Sequence, residues 1–289
     1  MTRAIELIER DITALQEAIR AIARSLQNAY ASYCHSLGTA CTKQLILASY
    51  YLCTQGYPEK FLNLSLNQRQ KLQQGIRNLG TQGAELLSSY LQAQGISSDQ
   101  VDQVDEEVRE MLSESSDLPM SNVTKKNSPP DLSNPMEVLE WQESIEEFIQ
   151  GVLKNISRET NILLQRFCII TEKIPEPLLE AAAAVMEPNA TLSLSEASVQ
   201  VIPGLPNLLN LVVEIENEQS PENSKLTQVM AINLRLAEME FADTKLSSDR
   251  KQIRPILVQL QSVGRDYQKK QRERSVAQAE SAWRASWFE

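Results

Sequence analysis

The sequence predicts an all-α protein: a bundle of long helices packed in the manner of a coiled coil and joined by flexible acidic linkers. Three observations predict it. The chain opens on an unbroken heptad stripe that reaches Tyr33. Aromatic residues make up only 5% of the 289 residues and there are nine Gly, too few of either for an all-β sandwich with its aromatic strands and frequent turns. The charges fall in blocks that mark off helices from linkers.

The first helix carries the strongest signal. Ile5, Ile8, Ile12, Leu15, Ile19, Ile22, Leu26, Ala29 and Tyr33 follow one another in steps of three and four. That spacing keeps one stripe facing a partner along a gently supercoiled helix. After Tyr33 the apolar positions become Leu37, Cys41, Leu45, Ala48 and Leu52, and the extra step of four shifts the stripe as a stutter does. Nothing breaks the helix before Gly56 and Pro58. About fifty residues at 1.5 Å each give a rod of roughly 75 Å, which cannot bury its stripe against itself.

A second helix follows. Ser65 and Gln68 have the spacing of a capping box. Leu72, Ile76, Leu79, Leu86, Leu87, Tyr90 and Leu91 mark its apolar face. Gly75, Gly80 and Gly83 weaken it, by up to about 1 kcal/mol each relative to Ala, and are expected to allow close approach to the first helix. The two helices form a hairpin of unequal arms.

The rest alternates linkers with helices. Residues 97–134 are a linker: "SSDQVDQVDEEVREML" is a candidate short acidic helix, and "SESSDLPMSNVTKKNSPPDLSNP" is rich in Ser, Asn and Pro and too poor in apolar surface to offset the entropy of ordering it. A third helix then begins with Ser133 as N-cap and Pro135 in its first turn. Its buried stripe is Val138, Ile145, Val152, Ile156, Leu163, Phe167 and Ile170, and it stops at "KIPEP". In the next acidic segment a short helix is expected with Leu208, Leu211, Val212 and Ile215 on one face. A helix from about Leu226 to Ala242 follows, then a last long helix from about Ser248, kinked or started by Pro255 and cored by Ile253, Leu257, Leu260, Val263 and Tyr267. The expected organisation is 1–96, a long helical hairpin; 97–134, an acidic disordered linker; 135–173, the third helix; 174–224, an acidic linker with a short helix; and 225–289, C-terminal helices with a basic-aromatic tail.

The net charge of −10 conceals this layout. Residues 1–98 sum to +3, 99–147 to −11, 172–244 to −9 and 245–289 to +5. A surface so acidic repels duplex phosphates, so nucleic acid is not an expected partner. The four Cys show no short paired spacing, which favours a reducing, cytoplasmic setting over a disulfide scaffold. No stretch approaches eighteen uninterrupted apolar residues, so no membrane span is expected.

The candidate contact surface is the tail. Val276, Ala279, Trp283 and Trp287 recur at helical spacing with Phe288 beside them, after a basic run of Lys269, Lys270, Arg272 and Arg274. The two Trp lie four apart and therefore on one face. Three readings stand: the tail docks on its own bundle; it docks another protein or a second copy; or it lies on an anionic membrane, with Trp at the interface and the cations on lipid phosphates. The stripe Ile5, Ile8, Ile12, Leu15, Ile19, Ile22 and Leu26 packs within the chain or self-associates.

Catalytic, cofactor and metal sites are not expected. The single histidine, His35, adjoins Cys34, and neighbouring helical residues diverge by about 100° where a zinc site needs converging ligands. No Gly-rich phosphate loop occurs, and Glu146 and Glu147 are read as solvated.

The segments "LILASYYLCTQGYPEKFLNLS", "AINLRLAEMEFAD" and "YQKKQRERSVAQAESAWRASWFE" resemble a group of uncharacterised helical proteins from cyanobacteria. The resemblance covers both ends of the chain, with the acidic linkers as the variable part. It implies a host class and no chemistry. The function expected from the residues is a non-enzymatic coiled-coil scaffold or adaptor anchored through the C-terminal Trp and Phe. The alternative is a peripheral membrane protein using the same tail; the third reading is an enzyme whose site is not recognised.

Overall fold

The computed structural model describes residues 2–94, 131–171, 199–201, 205–215 and 225–287. Helices dominate these residues, and the fold is all-α with one small antiparallel sheet attached.

The first helix, α1, runs unbroken over Thr2–Tyr51. The heptad stripe is its inward edge: Ile12, Ile19, Ile22, Leu26 and Tyr33 are buried, and Ile5, Ile8 and Leu15 are half-buried. The shifted stripe of Leu37, Cys41, Leu45, Ala48 and Leu52 is buried as well. Before Pro58 the backbone widens into one π-turn over Leu52–Gly56, closed by Tyr57 N–H on the Leu52 carbonyl at 2.9 Å. A short helix, α2, spans Pro58–Leu62 with Pro at its start, where the missing N–H costs nothing. Helix α3 spans Leu66–Gln94. Its capping box closes in both directions: Gln68 N–H donates to Ser65 Oγ at 3.3 Å, and Ser65 N–H to Gln68 Oε1 at 2.8 Å.

Helix α4 spans Pro135–Arg166. Its cap is Asn134, not the expected Ser133. Asn134 Oδ1 accepts the Met136 N–H at 3.1 Å, while Ser133 turns inward and donates its N–H and hydroxyl to Asp131. The helix ends short of "KIPEP". Cys168 takes φ 58°, Ile169 N–H reaches the Leu164 carbonyl and Cys168 N–H the Gln165 carbonyl. This is a Schellman closure with Cys in the place usually held by Gly. Ile169 and Leu164, both buried, supply the apolar contact that holds it. Within the predicted stripe Leu163 and Phe167 are only half-buried; Trp141, Ile149, Leu153 and Leu164 are buried instead.

Two expected helices are strands. Leu208–Ile215 forms β2 and Lys225–Ile232 forms β3, paired antiparallel with Leu208 opposite Ile232 and Ile215 opposite Lys225. A three-residue strand, β1, Val199–Val201, pairs with the other edge of β2. The reason is burial on both faces: Leu208, Leu209 and Leu211 are all enclosed, so their spacing fits a helix or a strand equally. The β-branched Val212, Val213 and Ile215 decide it. Helix α5 covers only Leu236–Ala242, and α6 follows over Thr244–Ala285. Asp243 starts α6 by accepting the N–H groups of Lys245 and Leu246 at 2.9 and 3.2 Å. The helix passes through Pro255 without ending.

The chain forms two compact units, each drawing on separate stretches. One comprises residues 1–33, 90–148 and 248–289. In it α1, α4 and α6 meet at a polar knot. Arg250 binds Glu146 through both terminal nitrogens, one of them at 2.8 Å. Tyr30 donates its hydroxyl to Glu146 at 2.6 Å, and Gln142 donates to Tyr30 at 3.2 Å. The Arg250 guanidinium also lies 4.9 Å from the Tyr33 ring centre. Glu146 is thus not the solvated residue expected; Glu147 is exposed. Further along, Gly264 meets the start of α4, where a Cβ would stand 3.2 Å from Pro135 Cβ.

The other unit comprises residues 34–89 and 149–247. Here α3 lies against α1 and α4. A Cβ on Gly80 would touch Thr42 of α1 at 3.0 Å, whereas one on Gly75 or Gly83 would meet Leu163 or Ile156 of α4 at 2.8 or 2.2 Å. Only Gly80 of the three serves the approach to α1 that the sequence suggested; Gly38 of α1 supplies the rest by facing Ala84. The sheet is bonded to these helices by side chains. Asn161 of α4 binds both backbone groups of Ile232, at 2.8 and 2.9 Å, and the Tyr57 hydroxyl binds both of Met230, at 2.9 and 3.2 Å.

Candidate functional site

The candidate surface is the last part of α6. Its apolar stripe fades in steps. Ile253 and Leu260 are buried, Leu257, Val263 and Tyr267 are half-buried, and Val276 is exposed. The physical cause is the switch to polar residues at the positions that would continue the stripe. Lys270, Gln271 and Arg274 stand there and are half-buried.

Of the basic residues singled out, Lys269 and Arg272 are exposed. Lys270 bridges Asp11 of α1 and Glu273, both at 3.1 Å. Its ammonium is held above the ordinary lysine range by Glu273 first and Asp11 second. The four cations therefore do not form one free patch: Lys269 and Arg272 are exposed, Lys270 is tied to α1 through Asp11, and Arg274 is half-buried.

Trp283 and Trp287 are 66% and 72% exposed, with ring centres 5.8 Å apart and planes tilted by 42°. Ser286 donates its hydroxyl to the Trp283 carbonyl at 2.8 Å, and Trp287 N–H reaches the Arg284 carbonyl at 3.2 Å. These bonds close the turn that follows the helix and carries Trp287. Phe288 lies outside the described residues.

The heptad residues belong to the other half of the picture. Ile12, Ile19, Ile22 and Leu26 are buried, whereas Leu15, Ile8 and Ile5 are half-buried and Leu7 beside them is 59% exposed.

The nucleophile inventory is brief. His35 is exposed beside the stripe. All four Cys are free thiols. Burial pushes Cys41 up to about 12 and Cys53 to about 11, so both stay protonated and unreactive near neutrality. Among the described residues no three His, Cys, Asp or Glu side chains converge as metal ligands would. No helix of the described residues is long and apolar enough to cross a membrane. The polar knot around Glu146 escaped the sequence reading because charged partners on three different helices leave no periodic trace. No protein-family model, curated protein or solved structure matches the chain.

Proposed function

We propose that the chain is a non-enzymatic helical scaffold or adaptor that docks a protein partner through the Trp283–Trp287 face. One observation carries this reading: two indole rings with centres 5.8 Å apart, both more than half exposed, one near the end of a long helix and the other in the turn just past it. Each Trp offers roughly 150–250 Å² of apolar surface to a partner. Rigid aromatic anchors at helical spacing suit an apolar groove. Lys269, exposed on the same helix, favours a groove with a carboxylate at its rim.

The test is a pull-down from the source cell with the full chain against the chain carrying Trp283→Ala and Trp287→Ala. Loss of a specific set of captured proteins is expected. An unchanged set overturns the reading. The same exposed pair beside cations supports a second reading, a peripheral membrane contact. Flotation with anionic vesicles separates the two: salt-sensitive binding, lost in the double variant, would replace the protein partner by a lipid surface.

A further inference from the structure

Helices α1 and α6 run antiparallel in their unit, and two contacts fix their level. Arg250 stacks on Tyr33, and Lys270 pairs with Asp11. Between these contacts the chain advances 20 residues along α6 (270 − 250) and retreats 22 along α1 (33 − 11), so lengths that match to within about 3 Å lie side by side. The third helix, α4, reaches α6 at Pro135 beside Gly264. Past that level α6 turns polar towards α1, and the cover of the α1 stripe becomes uneven: Ile12 is still buried, but Ile5, Ile8 and Leu15 are only half-buried where Ile19, Ile22 and Leu26 are enclosed.

The charges say what completes the cover. In the α1 heptad Asp11 flanks the stripe on one side and Glu9 on the other. Lys270 of α6 occupies the Asp11 side. Glu9 is exposed on the open side, and Arg272 is exposed on α6, about 200° around the helix from Lys270 and so turned away from Asp11. A two-fold axis parallel to the helices preserves every residue's height. It sets α6 of a second copy antiparallel to α1 on the open side at the level α6 already has in its own chain. The Lys270–Asp11 pair places residues whose numbers sum to 281 at one height, and Glu9 and Arg272 share that sum.

We propose that this two-helix arm pairs with a second copy of the chain. The result is an antiparallel four-helix arrangement in which Ile5, Ile8 and Leu15 close on their counterparts and Glu9 meets Arg272 of the other copy. Neighbouring helices alternate in direction as four-helix packing requires. The surface is self-complementary, as a closed two-fold dimer demands. This is distinct from the Trp face and does not depend on it.

The test is sedimentation equilibrium on the full chain at low salt. A dimer is expected. Glu9→Arg alone and Arg272→Glu alone are each expected to raise the dimer dissociation constant at least tenfold, and the two together to restore it to within about threefold of the parent. Both positions are exposed, so circular dichroism should stay unchanged and separate lost association from lost folding. Trp283→Ala with Trp287→Ala is expected to leave the dimer intact, which keeps this test independent of the docking reading. A concentration-independent monomer, or a double variant no better than either single one, overturns the proposal.

Discussion

Arg250 holds Glu146 by both terminal nitrogens of its guanidinium while the same group covers the Tyr33 ring. The pair is about four-fifths enclosed, with side chains 19% and 20% exposed. Two helices are thereby fixed against a third at one point. Removing either partner strands the other charge in partial burial. Arg250→Met and Glu146→Gln are each expected to destabilise by about 2 kcal/mol, the scale of a hydrogen bond to a charged group. Both together should cost much less than the sum, because no charge is then left without its partner. Urea unfolding of the four variants measures the coupling.

The same knot sets pH limits. Burial acts to raise the Glu146 carboxyl, but the hydrogen bonds from Arg250 and Tyr30 outweigh it, and the group titrates below its ordinary 4.5. Asp131 is lowered too, by its bonds from Ser133. A depressed folded value means stability that is present above the unfolded value and is lost as pH falls through the folded one. Tyr30 is raised above its ordinary 10.0, chiefly by burial and then by its bond to Glu146. That contribution is whole below 10 and is lost as pH rises through the folded value. Melting temperature against pH should therefore fall at both ends. Glu146→Gln should flatten the acid limb, and Tyr30→Phe the alkaline one.

Two helical glycines should respond with opposite sign. A Cβ at Gly83 would stand 2.2 Å from Ile156 Cδ1, so Gly83→Ala must push α3 and α4 apart or move a core side chain. The expected loss is about 1–3 kcal/mol. Gly151 lies on the exposed side of α4, and a Cβ there meets nothing within 4 Å. Gly151→Ala should stabilise by about 0.5–1 kcal/mol through helix propensity alone. Denaturation midpoints of the two variants give the comparison.

Asn161 is buried and serves both backbone groups of Ile232. Asn161→Ala would leave an amide and a carbonyl enclosed without partners, a loss of at least about 2 kcal/mol. Amide exchange should locate it: the Ile232 N–H should lose protection well beyond what the global change explains.

The long helices were legible because their apolar stripes repeat over many turns. Ile12 to Leu26 fix the inner edge of α1, and Ser65 with Gln68 fix the start of α3. The sheet was not legible because Leu208 to Leu211 are buried on both faces, which erases the alternation that marks a half-buried strand. The end of α4 was hidden for a different reason: its left-handed residue is Cys168, and no glycine announces it. Of the candidate site, the spacing of Trp283 and Trp287 could be read directly. That Lys270 turns back to Asp11 could not, since ion pairs between distant segments have no sequence period.

A lone small sheet in a helical protein is an invitation to foreign strands, because an open edge is a template for one more. Along β3 that invitation is withdrawn at Met230 and Ile232. Tyr57 and Asn161 stand where the backbone of an intruding chain would bond, each offering a donor and an acceptor in its place. At this edge the surrounding side chains take up the bonds that a seed for fibrous stacking would need.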